Sequence, residues 1–158
     1  MYENSFTLKN MLAAYRKPLQ FKGRSTRTEL LGYFIMSWLI STVIGWLAIG
    51  SGLALSVDQP PLMTFDILNF VLWLPFPALA VRRFHDQDKP GWWATPLILS
   101  TVISWIGGFS ILNQPARIFL SLIYLAGFIL LFLKPTDGTN GFGPNPRLDP
   151  DEAELAAE

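Results

Sequence analysis

Four stretches without a single charge dominate this chain. Residues 30–57, 67–81, 90–116 and 118–133 contain no Asp, Glu, Lys or Arg. A helix crossing a bilayer needs ~20 mostly apolar residues, with a range of about 17–25. The first and third stretches meet that length outright. The second and fourth are short when counted strictly, and the basic residues at their ends extend them by snorkelling to the interface. A soluble domain would carry about a quarter charged residues, whereas this chain has 15%. The expected fold is all-α: a polytopic membrane protein with a bundle of four transmembrane helices, near 27–52, 65–83, 91–112 and 117–134. Residues 1–29 form a basic segment, 30–134 the membrane domain, and 135–158 a flexible tail. The first apolar run is too long for a signal peptide and is expected to remain as a span.

Basic residues fix the expected orientation, because loops that stay in the cytoplasm are enriched in Lys and Arg. Of the twelve in the chain, only Arg117 falls in the loops after spans one and three. The rest lie before span one, between spans two and three, or after span four. Both termini are therefore expected in the cytoplasm, with an even number of crossings. The formal net charge is zero, which excludes a uniformly basic nucleic-acid binder. That zero sums a basic start and an acidic end: residues 149–158 carry five acids and no base. With no Cys and one His, disulfides, thiolate zinc sites and multi-His metal sites are not expected, and no metal or cofactor is assigned.

Local patterns refine the plan. Leu8, Met11, Leu12, Tyr15 and Leu19 share one helical face, and Pro18 is expected to end or kink the helix near Lys17, which predicts a short amphipathic helix lying on the membrane surface or on the protein itself. Thr26 and Glu29 form a capping-box pattern before the first apolar run. Arg27 then sits where the helix dipole disfavours a cation, so an anion, either Asp86 or a phosphate, is expected nearby. Ser37, Ser41 and Gly45 recur every four residues, as do Ser100, Ser104 and Gly108, which predicts close packing of spans one and three. Pro75 and Pro77 interrupt the second span and leave the carbonyls of Val71 and Trp73 without helical donors. They make either a hinge or a fixed kink.

Arg24, Arg27 and Glu29 precede the first span, and Arg82, Arg83, His85 and Asp86 close the second. Two readings stand for these seven residues: an anion site for a lipid phosphate, or a network of ion pairs that locks the helix ends together.

The segment Gly23-Arg24-Ser25-Thr26-Arg27-Thr28-Glu29, the run from Leu74-Pro75-Phe76-Pro77 to Arg82-Arg83-Phe84-His85-Asp86, and Gly91-Trp92-Trp93 together resemble the bacterial family called domain of unknown function 805. The tail Asn140-Gly141-Phe142-Gly143-Pro144-Asn145-Pro146 is similar to that family's closing motif. The resemblance implies a small four-span inner-membrane protein and no established activity. The expected class is non-enzymatic and accessory, with anionic phospholipid or a partner protein at the cytoplasmic face and homo-oligomers allowed. A small transporter or channel component is the alternative. No catalytic residue is assigned, since no ionisable group lies deep in any span.

Overall fold

A computed structural model describes residues 8–50, 61–107 and 113–147, and among these it is helical, with one isolated bridge between Asn140 and Gly143. The described residues begin with two single-turn helices, α1 (Leu8–Met11) and α2 (Ala13–Arg16), followed by the long α3 (Arg27–Gly50). Next come α4 (Pro61–Trp73) and α5 (Pro75–His85), a 3-10 turn at Gly91–Ala94, α6 (Thr95–Gly107) and α7 (Gln114–Leu131). Asn113 caps α7 by accepting from the backbone N–H of Ala116 at 3.1 Å, and a proline occupies its first turn.

Among the described residues, three helices are long and apolar enough to cross a membrane: Arg27–Gly50, Ile67–His85 and Gln114–Leu131. Where a span was expected near 91–112, the described residues form a shorter apolar helix, Gly91–Ile103. Its expected end at 108–112 lies outside the described residues, as do Gly52 and the acidic residues 149–158. Two of the long helices, Arg27–Gly50 and Gln114–Leu131, turn most of their apolar side chains outward, while Ile67–His85 is more buried. Only 6% of the Gln114–Leu131 window is buried, and Trp46 and Phe119 are 70% and 64% exposed. A helix apolar on all sides and this bare belongs in lipid.

The proline break is held in place. Leu74 lies between α4 and α5, and its N–H donates to Phe70 at 3.1 Å and to Val71 at 3.3 Å, so one orphaned carbonyl regains a donor. The Tyr33 hydroxyl donates to the Leu72 carbonyl at 3.2 Å from α3. Phe76, just after Pro75, packs among Tyr33, Phe34 and Trp73. Pro75 and Pro77 thus open α5 against a packed aromatic cluster.

Two packing expectations change. Ser37 bonds to Tyr15, and Ser41 donates to Asn69 at 2.7 Å, so these two positions of the small face of α3 meet the N-terminal segment and α4, while Gly108 of the expected partner face lies outside the described residues. Hydrogen-bonding partners, more than small size, decide that face. One glycine that allows a close helix approach is Gly127 on α7, where a Cβ would stand 3.0 Å from Leu97 of α6.

The expected amphipathic helix is broken into α1 and α2, with a turn at Leu12. Both pack on α3, burying Asn10 and Ala14, while Leu8 and Leu19 stay exposed. The contact depends on Gly32, where a Cβ would lie 2.5 Å from the Met11 backbone. Gly32→Ala is expected to cost about 1–3 kcal/mol and to push α1 and α2 away. Faster hydrogen exchange over residues 8–16 with an unchanged α7 is the expected signature; unaltered exchange there would contradict the packing.

Candidate functional site

The charged residues converge where α5 ends. Arg82 and Arg83 occupy its last turn, where a helix C-terminus favours cations, and Asp86 follows immediately. Asp86 is fully buried. Three guanidiniums from three separate parts of the chain meet its carboxylate. Arg24, from the segment before α3, donates through Nε to Oδ1 at 3.0 Å. Arg83, one turn earlier on α5, pairs with Oδ2. Arg147, near the last described residue, approaches with both terminal nitrogens, at 3.1 Å to Oδ1 and 2.6 Å to Oδ2.

Burying charge is expensive unless each donor and acceptor is matched. One carboxylate cannot neutralise three cations, and backbone carbonyls supply the rest. Arg83 donates through Nε to Leu131 and through Nη2 to Leu133, both at 2.6 Å. Gln87 donates to Leu130 at 2.8 Å. The last carbonyls of a helix have no donors of their own, so α5 and its turn cap the end of α7. Arg24 donates further to Thr136 at 2.8 Å and Gly138 at 2.6 Å.

These last contacts come from residues expected to be a flexible tail. In the structure, residues 136–147 form a strap across the cluster. The Thr136 N–H donates to the Asp86 carbonyl at 2.9 Å, and the Asn140 side chain donates to the His85 carbonyl at 2.8 Å. Phe142 stacks on His85, with ring centroids 4.0 Å apart and planes 3° from parallel. On its other side His85 places Nδ1 3.1 Å from the Gly23 carbonyl, to which it donates.

Arg82 goes elsewhere. Its Nη2 lies 2.9 Å from Glu29 Oε1, and the Ser25 hydroxyl donates to Oε2 at 2.8 Å. Thr26 accepts from the Glu29 N–H at 3.1 Å, as a capping box requires, but the Glu29 carboxylate turns to Ser25 and Arg82 rather than back to the cap. Adjacent arginines on a helix point about 100° apart, so Arg82 and Arg83 serve different anions.

The cluster therefore gathers Arg24, Glu29, Arg82, Arg83, His85 and Asp86 at one end of the bundle. Arg27 is excluded: it is exposed and carries no ion pair among the described residues. Asp86 cannot be its partner, since its oxygens are committed to the other three arginines. Helix α5 stops at His85, so Lys89 does not share its face; Lys89 lies over Trp93 instead, 5.3 Å from the ring centroid. Sequence reasoning missed Arg147, Thr136, Asn140, Gln87 and Ser25. Arg147 had a signal: after Lys134 it is the only base in the rest of the chain. Among the described residues no cluster of three His, Cys, Asp or Glu is placed to hold a metal. The arrangement fastens chain segments together and occupies the donors of Arg24 and Arg83, whereas the buried Arg82 meets Glu29 as an ion pair and its Nε has no hydrogen-bond partner among the described residues.

A family model described as "Protein of unknown function (DUF805)" matches residues 18–144. The chain is 30% identical over 132 residues to the Escherichia coli (strain K12) inner membrane protein YhaH, covering 82% of this chain and 89% of that protein. It is 33% identical over 95 residues to the inner membrane protein YhaI of the same strain, covering 60% of this chain and 75% of that protein. No solved structure matches.

Proposed function

The chain belongs to the DUF805 family of membrane proteins, and from that premise we propose a non-enzymatic accessory protein of the inner membrane, with four crossings and both termini in the cytoplasm. One observation carries this reading: Arg24, Arg83 and Arg147 spend donors on the buried Asp86 carboxylate, and Arg24 and Arg83 also on backbone carbonyls. A catalytic group must be free to change partners during a reaction, and these groups are fastened. The Asp86 cluster acts as a clamp. It fixes the cytoplasmic ends of the helices and offers the surface around them to lipid or to a partner protein. A carrier would place ionisable groups near the midplane. The polar groups there, Ser41 and Asn69, bond to each other.

The topology has a direct test. The chain has no cysteine, so Leu62→Cys and Gln114→Cys give single labelling sites. Membrane-impermeant thiol reagents are expected to reach both from outside the inner membrane. Labelling only after the membrane is opened would overturn the orientation.

A further inference from the structure

Arg27 begins α3 as an exposed cation at the positive end of a helix, where an anion is expected. The nearby carboxylates are spent: Asp86 on Arg24, Arg83 and Arg147, and Glu29 on Arg82 and Ser25. No Asp or Glu occurs between residues 4 and 28. Arg16, Lys17 and Lys22 are exposed as well, and they too have no ion pair among the described residues. The segment is not loose. The Ser25 N–H donates to the Arg82 carbonyl at 3.2 Å, and Gly23 accepts from His85, so Arg24 points inward while Lys22 and Arg27 face out.

Between these cations stand two exposed apolar side chains, Leu19 at 68% and Phe21 at 45%. A free anion has no use for them. The edge of an anionic leaflet has, because it presents phosphate above acyl chain. Just beyond, α3 enters its outward-facing apolar run with Ile35, Trp38 and Leu39. We propose that Lys22 and Arg27, supported by Arg16 and Lys17, hold the phosphates of anionic phospholipid, with Leu19 and Phe21 set among the acyl chains at the same level. The lipid contact lies outside the Asp86 clamp, not in it. The proposed topology enters only in naming the cytoplasmic leaflet as the source.

The test uses the full chain and the double variant Lys22→Gln/Arg27→Gln, purified and offered phosphatidylglycerol, phosphatidylcholine or inorganic phosphate. Native mass spectrometry is expected to show wild type retaining phosphatidylglycerol in preference to phosphatidylcholine. The variant should lose most of that preference, a fall of roughly threefold or more for two basic contacts. Its melting temperature in phosphatidylcholine should match wild type, because both side chains are exposed. Equal phosphatidylglycerol retention by the variant overturns the proposal. So does a melting shift reproduced by inorganic phosphate alone, or a variant destabilised in neutral lipid. A failed clamp would instead appear as an unperturbed Asp86 variant, with phosphatidylglycerol retention unaffected.

Discussion

Replacing Asp86 by Asn is expected to lower the melting temperature in detergent by roughly 10 °C, reflecting a loss of about 3–5 kcal/mol. The volume hardly changes, so packing is not the cause. The substitution removes the one negative charge that Arg24, Arg83 and Arg147 share, and leaves the buried guanidiniums of Arg24 and Arg83, with the partly exposed Arg147, facing no anion. The Asn amide also adds donors where only acceptors are needed. Breaking a buried ionic group from one side costs far more than the pair contributes, because the abandoned charges stay desolvated. Asp137→Asn is the control, since Asp137 pairs with Lys134 in nearly full exposure and should move the melt little. Equal melting temperatures for wild type and Asp86→Asn would remove the clamp.

Arg83 carries the second large effect. Arg83→Ala should cost about 3–5 kcal/mol, through loss of the Asp86 pair and of the donors to Leu131 and Leu133. Arg83→Lys separates charge from shape. Lysine keeps the cation but offers a single point of donation, where the guanidinium divides three nitrogens among three acceptors. It is therefore expected to recover less than half of the loss. Hydrogen exchange in the last turn of α7 should speed up in both variants, because Arg83 supplies donors to carbonyls there and just beyond. Full rescue by lysine would mean that charge alone matters and that the capping of α7 does not.

The membrane helices were legible because lipid imposes a strict rule on sequence: long runs without charge. The cap of α3 was legible because Thr26 and its target lie three residues apart. Local spacing could not tell where the Glu29 carboxylate would go. It had a box partner in sequence and an arginine partner in space, and the buried arginine won. The same limit explains Arg147. Its pairing with Asp86 spans 61 residues and follows no helical or strand period. The strap was hidden because residues 136–147 mix Gly, Pro, Asn and Asp, the composition of both flexible ends and tight turns. Arg27 was grouped with Arg24 by proximity in sequence, yet the backbone between them turns one inward and leaves the other outside.

The order in which the clamp's parts leave the ribosome matters as well. Arg24 and Arg83 are made before Asp86, whereas Arg147 follows it by 61 residues. At ~5–20 residues per second, that interval is about 3–12 s. For that time the nascent chain holds a carboxylate with two of its three arginines and an uncovered end on α5. Closure by the strap therefore waits until synthesis has passed residue 147. A chain stopped between Asp86 and Thr136 would carry the carboxylate and two of its arginines without the backbone carbonyls of Thr136 and Gly138 that receive Arg24.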